Sequence, residues 1–437
     1  MQKSLNSPSG ARAHSKGRAG PLQASGWKQA TASLENPEFR KVFGSNMAFF
    51  LAMGGQSIVR PWLAFNLTGD KLDLGIVSVA MAIPMLVLSP FGGVLADRIE
   101  RRRLIVLAQA FAMVSETLIL GMLLTDQLEF WHLVLTSGMM GCALPLIMPA
   151  RSAIVVNIVG KKGLGPAMAL NMAGMNVTKV LGPATTGFLI PVIQPEGVYA
   201  VNLSLYGVGL IMMMMVRRLP PPPLANKAPV LTNLMDGFKY VGSNRLVLML
   251  LIFGLVPMFL VMPFQTLLVA FSDEVWEVGP RGLGILHASS GLGAVGGSIW
   301  MAMRNQDAGR QKLMLWSVTA FGGFLAAFCA SPHFWPAVVL VFIANIFASA
   351  FSTLNNVAIQ LVIPDSVRGR ISSFLMMSVS LPMLGNLPVA ALAQRVGAPL
   401  AVGGASVLAI VAALCLYASS RELRSLDEHV RHATGQV

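Results

Sequence analysis

Long apolar runs separated by short polar joints repeat from one end of the chain to the other. A helix needs roughly 20 apolar residues to cross a bilayer. The runs therefore predict twelve spans, at 42–65, 74–96, 104–124, 131–159, 164–190, 197–216, 246–271, 282–303, 313–330, 335–363, 371–394 and 398–419. Several contain Gly or Pro in mid-run, which membrane helices tolerate where neighbours satisfy the freed carbonyls. The expected fold is an all-α membrane protein.

The basic residues fall on one side of this pattern. Of the 32 Lys and Arg, all but six lie before the first run, in alternate joints, or after the last run. The exceptions are Lys71, Arg281 and Arg395 in the other joints, and Arg60, Arg151 and Lys179 inside runs. Cytoplasmic joints are the ones enriched in Lys and Arg, so both termini are expected in the cytoplasm. The same asymmetry explains the net charge of +13 without any need for nucleic acid.

The longest internal joint contains Pro220–Pro223 and splits the runs into two sets of six. The sets also echo one another. Gly92-Gly93 returns as Gly296-Gly297 and Trp131 as Trp335 at the same spacing, and Gly182 has a counterpart in Gly385. The expected organisation is two pseudo-symmetric six-helix bundles. Residues 1–41 form a disordered basic tail, 42–216 the first bundle, 217–245 a cytoplasmic linker, 246–419 the second bundle and 420–437 a cytoplasmic tail. Residues 1–34 carry no apolar core of a signal peptide. They read either as a segment that touches anionic lipid or as an unstructured leader.

Composition narrows the class. The chain is 54% hydrophobic and 12% charged, about half the charge of a typical soluble domain. Cys142, Cys329 and Cys415 all fall within apolar runs, without metal or disulfide spacing. No phosphate loop or nucleophile elbow is visible. An intramembrane enzyme should show a paired nucleophile and base, and a lipid sensor a sizeable soluble domain; neither pattern is present. No cofactor and no metal are expected.

The joint Gly92–Arg103 carries Gly93, Leu95, Ala96, Asp97, Arg98, Arg101 and Arg102. It resembles the signature loop between the second and third helices of the major facilitator superfamily, with Glu100 where that loop has its second glycine. The resemblance implies that Asp97 and its arginines gate the cytoplasmic side. Pro364-Asp365-Ser366-Val367-Arg368-Gly369-Arg370 is similar to a loop of one bacterial branch, that of enterobactin-type siderophore exporters and macrolide-type drug exporters. The resemblance places Asp365, Arg368 and Arg370 in the same gating role. Lys179-Val180-Leu181-Gly182-Pro183, with Gly187 after it, resembles part of the antiporter motif on the fifth helix. Its physical sense is a kinked helix with small residues that packs closely and can shift, and it favours export over uptake.

Ionisable residues inside spans carry a functional hypothesis by default. Glu116 is the single acidic residue of 19 that falls in mid-run. Such a carboxylate can be carried neutral by taking up a proton, and can release that proton when a cation approaches. Arg60 is the candidate cation. It shares a helix face with Gln56, and either lines a cavity or snorkels to the outer interface. Arg151 reads as a gating or structural group. Asn171, Asn176, Asn355 and Gln265 either join Gln56 and Arg60 in lining a polar cavity or bond neighbouring helices. The 27 methionines, including Met212–Met215, suit either an adaptable wall or simple filling.

The expected function is secondary export of a small amphipathic molecule across a bacterial inner membrane, by proton antiport and alternating access between the two bundles. A siderophore exporter and a proton-coupled importer remain open. The expected partners are the small-molecule substrate, protons and the lipid bilayer, with the protein a monomer.

Overall fold

The computed structural model describes residues 33–218, 230–304, 309–363 and 380–428. Every element among them is helical. A single 3₁₀ turn, Ser33–Glu35, leads into α1 (Pro37–Thr68). This helix starts five residues before the apolar run. Asn36 caps it by accepting from the Glu38 and Phe39 amides, and Pro37 occupies the first helical position, both ordinary start signals. The expected tail of 1–41 is therefore shortened from its C-terminal end by a local cap, and 1–32 lie outside the described residues.

Next come α2 (Lys71–Arg98), α3 (Arg101–Leu124) and α4 (Phe130–Met214). The last is a run of helical limbs broken at two non-helical residues. Gly160 takes φ 68° and Gln194 φ 59°, and these non-helical residues divide α4 into limbs at 130–159, 161–193 and 195–214. Gln194 stands three residues after Pro191 and just before Pro195, where the missing proline amides weaken the helix.

A short helix, α5 (Val230–Ser243), occupies what the sequence suggested was plain linker. Then follow α6 (Arg245–Val261) and α7 (Phe264–Ala270), the latter continuing as a π-helical turn at Phe271–Val275. The expected run 246–271 is thus interrupted at Met262–Pro263, where the ring of Pro263 cannot donate to the ladder. The remaining elements are α8 (Gly279–Met303), α9 (Arg310–Cys329), α10 (Phe334–Val362), α11 (Asn386–Val396), α12 (Ala398–Ser419) and the short α13 (Arg421–Arg424).

Among the described residues nine helical stretches are long and apolar enough to cross a membrane. Gly163–Met214 counts as one of them although it bends at Gln194. The Gly- and Ser-rich α8 is not one of the nine, and of the expected run 371–394 only the part from 380 is described.

The helices are built for lipid. On α3, Leu107, Phe111, Val114 and Leu118 are exposed in a stripe at helical spacing. The opposite face buries Gln109, Ser115 and Glu116 completely. A helix in water buries its apolar face; this one presents it outward and keeps polar groups inside, the arrangement a hydrocarbon solvent rewards.

α1, α2 and α3 all pack on α4. α8 and α9 pack on α10, while α12 packs on α9 and α6. The two groups touch chiefly along α4–α8 and α2–α11. Both contacts depend on glycine. A Cβ on Gly187 would come within 2.7 Å of the Pro280 carbonyl oxygen, and one on Gly75 within 2.9 Å of the Leu387 Cα.

Candidate functional site

Arg60 belongs to α1 and Glu116 to α3, and their side chains meet inside the helices packed on α4. Arg60 Nη2 lies 2.9 Å from Glu116 Oε1. Arg60 Nη1 reaches Ser137 Oγ on the first limb of α4 at 3.4 Å, and Ser115 Oγ lies 3.4 Å from the same carboxylate oxygen. Glu116 is fully buried and Arg60 nearly so. Removing a carboxylate and a guanidinium from water is expensive unless they pair with good geometry. Here the pair is single-pronged, and Arg60 Nε and Glu116 Oε2 are buried without a hydrogen-bond partner.

Gln56, one turn before Arg60, is buried with both amide atoms unpartnered. Both residues line a cavity of about 250 Å³. Its walls come from α1, α2 and α4 on one side, and from α7, α8 and α11 on the other. Gln265 and Thr266 of α7, His287 of α8 and Asn386 of α11 supply the opposite polar groups. Asn386 Nδ2 donates to Thr266 Oγ1 at 3.1 Å.

A second buried polar group surrounds Arg151, on the first limb of α4. Its guanidinium donates to Gln109 Oε1 at 2.6 Å, to Asn46 Oδ1, and to Ser45 Oγ at 3.4 Å, and stands 4.4 Å from the Phe49 ring centroid. Asn46 Nδ2 in turn donates to Asn171 Oδ1 at 2.7 Å. Among the described residues no carboxylate pairs with Arg151. Amide oxygens and an aromatic face hold this cation instead. Gln109 and Glu116 lie two turns apart on one face of α3, so this helix serves both buried guanidiniums.

The sequence-derived cavity set therefore divides. Gln56, Arg60 and Gln265 come together around one space. Asn171 does not; it turns toward Asn46 in the Arg151 group. Asn176 is half-buried and away from the cavity wall. Asn355 lines a separate depression with Gly254 and Met258. Side-chain direction around each helix makes the difference, and an amide's presence in an apolar run does not reveal it.

The arginine-rich joint also divides. Arg101 Nη1 donates to the Ala153 carbonyl at 3.0 Å and to Asn157 Oδ1 at 2.5 Å. Arg102 donates to the carbonyls of Met213 and Met214. These are terminal carbonyls of α4, where cations satisfy unpaired acceptors and oppose the helix dipole. Both arginines thus fasten helices of one group to each other. Arg98 is exposed. Gly93 and Asp97 lie in the last turns of α2, but their side-chain surroundings are outside the described residues, as are Asp365, Arg368 and Arg370.

In the segment from Lys179 to Gly187, small residues sit at contacts. A Cβ on Gly182 would come within 2.8 Å of the Leu51 carbonyl oxygen, and Pro183 packs beside Gly54. Gly187 meets Gly284 of α8, whereas Lys179 is exposed.

One pairing escaped the sequence reading. Lys71 Nζ lies 2.7 Å from Glu274 Oε1 in the π-helical turn, and the Lys71 amide donates to Gln394 Oε1 at 2.8 Å. These contacts join the two groups of helices at the end opposite the arginine-rich joint. A lone Lys in a joint and a Glu about 200 positions later (about half the chain) give no pairwise signal in a single sequence.

Comparison with known proteins adds the following. A family described as transmembrane secretion effector matches residues 28–434. An MFS-type transporter of Bacillus subtilis is 22% identical over 396 residues, covering 84% of this chain and 91% of that protein. A multidrug efflux pump of Mycolicibacterium fortuitum is 23% identical, covering 71% and 78%. An enterobactin exporter of Escherichia coli is 28% identical, covering 77% and 80%. Among solved structures, a nucleoside transporter superposes with TM-score 0.70 at 13% identity, over 87% of this chain and 100% of that one. A D-xylose–proton symporter gives 0.69 at 12%, over 89% and 99%.

Proposed function

The chain belongs to the transmembrane secretion effector family of major facilitator transporters, and from that premise we propose that it exports a small amphipathic molecule in exchange for protons. It is a multi-pass membrane transporter, not an enzyme. The proposed architecture is two six-helix bundles, 42–216 and 246–419, joined by the linker 217–245, with both termini cytoplasmic. The separate packing of α1–α4 and of α8–α10 with α12 supports this division. The bends at Gly160 and Gln194 support three crossings within α4. Alternating access would rock one bundle on the other. The contacts of Gly187 with Gly284 and of Lys71 with Glu274 support a cavity closed at that end.

The observation that carries the reading is the Arg60–Glu116 pair, with Arg60 on the cavity wall and Glu116 behind it. Desolvation opposes the charged carboxylate and the adjacent guanidinium favours it. A movement that separates them converts Glu116 into a proton acceptor, and their return expels the proton. Proteoliposomes carrying the full chain and a pH gradient test this with N-phenyl-1-naphthylamine, a neutral amphiphile. The wild type is expected to concentrate the dye and to shift internal pH when dye is added. Glu116→Gln is expected to equilibrate it downhill only. Uphill transport by Glu116→Gln would remove Glu116 from the coupling.

A narrower reading, siderophore export, is supported by the similarity to enterobactin exporters over 77% of the chain. Saturable transport of a catecholate siderophore in the same vesicles checks it. The direction of dye movement under an imposed gradient separates export from proton-coupled import.

A further inference from the structure

The cavity wall is notable for what recognises charge on it. Among the described residues that line it there is no carboxylate, and no phenylalanine, tyrosine or tryptophan. Its ionisable groups are Arg60 and His287. The nearby Glu116 is fully buried, is committed to Arg60, and does not reach the wall. A permanent organic cation in a low-dielectric site needs a carboxylate or an aromatic cage to replace its hydration. Among its described residues this wall offers neither and sets a guanidinium against such a cation.

The same wall suits a different molecule. Met53, Met81, Met140 and Met383 supply soft apolar surface from both groups of helices, which adapts to an irregular or planar body. Gln56 keeps both amide atoms buried and unpartnered, Asn386 keeps Oδ1 so, and Arg60 keeps Nε so. Buried polar groups without partners are costly until something satisfies them. Gln56 Nε2 and Arg60 Nε, one turn apart on α1, are donors poised for an acceptor or an anionic group, while Gln56 Oε1 and Asn386 Oδ1 can accept from a hydroxyl or amide of the same molecule.

We propose that this cavity selects uncharged or anionic amphiphiles and rejects permanent cations, because among the described residues its wall carries a guanidinium and amides but neither a carboxylate nor an aromatic cage. This rests on the reading of the chain as a transporter whose substrate enters the cavity.

The test is equilibrium binding to the full chain in nanodiscs, followed by the fluorescence of three probes. N-phenyl-1-naphthylamine is neutral, 1-anilinonaphthalene-8-sulfonate adds one negative charge to a closely similar skeleton, and ethidium is a permanent cation of comparable size. Saturable binding of the first two, at least tenfold tighter than that of ethidium, is expected. Gln56→Leu should weaken the anionic probe by at least about tenfold, as loss of one hydrogen bond to a charged acceptor in a buried site predicts. Gln265→Glu places a carboxylate on the facing wall and should strengthen ethidium binding by about tenfold. Ethidium binding as tight as that of either naphthylamine, or no saturable binding of any probe, overturns the selectivity. Binding in the expected order without uphill movement in energised vesicles would instead sink the export reading and leave the selectivity standing.

Discussion

Lys71 Nζ and Glu274 Oε1 lie 2.7 Å apart, joining the first turn of α2 to the π-helical turn after α7. The Lys71 amide also holds Gln394 of α11. Glu274 is partly exposed, so the pair is worth only about 1 kcal/mol at most. That is still enough to shift a two-state equilibrium about fivefold. Glu274→Lys sets two cations together and is expected to open this end. A cysteine at Ser78 in a cysteine-free background should then react several-fold faster with an impermeant maleimide added from that side. The double exchange Lys71→Glu/Glu274→Lys should restore the slow rate. An unchanged rate in Glu274→Lys removes the pair from the closure.

Arg60 and Glu116 should behave asymmetrically in stability measurements. Glu116→Ala leaves a buried guanidinium beside the Ser137 and Tyr199 hydroxyls without a carboxylate, a change that typically destabilises by about 3–5 kcal/mol. Replacing both residues by methionine removes the uncompensated charge. Thermal melting in detergent is expected to show a large drop for Glu116→Ala and a much smaller one for Arg60→Met/Glu116→Met. Equal drops would mean that the pair's geometry, and not its charge balance, supports the helices.

Among the described residues Arg151 is a cation held without a carboxylate, and its removal strands acceptors rather than a charge. Arg151→Met leaves Gln109 Oε1 and Asn46 Oδ1 to be satisfied elsewhere, at about 1–3 kcal/mol each. Arg151→Lys keeps the charge but cannot reach both oxygens with a planar fork. Both variants should melt earlier than the wild type, with Arg151→Met the lower. A Gln109→Leu/Arg151→Met double variant should recover part of the loss, and the absence of recovery would show that the two side chains act independently.

Gly187 and Gly323 make a matched pair of substitutions. A Cβ at Gly187 runs into the backbone of α8, whereas one at Gly323 meets nothing within 4 Å. Gly187→Ala is expected to lower dye transport strongly, because α4 and α8 can no longer approach. Gly323→Ala should leave transport unchanged and raise stability by about 0.5–1 kcal/mol, the usual gain from replacing a mid-helix glycine. Normal transport by Gly187→Ala would show that the close approach is dispensable.

The apolar runs determined by themselves that the chain is helical and membrane-embedded, since each helix satisfies its own backbone within a few residues. Local signals placed Arg60 and Glu116 inside runs, and Gly182 and Gly187 at helix contacts. Local chemistry also sufficed, in principle, for the start of α1, because Asn36 and Pro37 are adjacent to what they cap. The sequence offered Arg60 as a candidate partner for Glu116, but tertiary structure decided who faces whom. Arg60 meets Glu116 across 56 positions, Arg151 meets Asn46 across 105, and Lys71 meets Gln394 across 323. Asn171 and Gln265 look alike in sequence, as amides in apolar runs, yet one bonds Asn46 and the other lines the cavity. The difference lies in how each helix is rotated about its axis. In a bilayer that rotation is set by contacts with neighbouring helices, through small residues and buried polar pairs, and a residue's own sequence neighbours do not carry it.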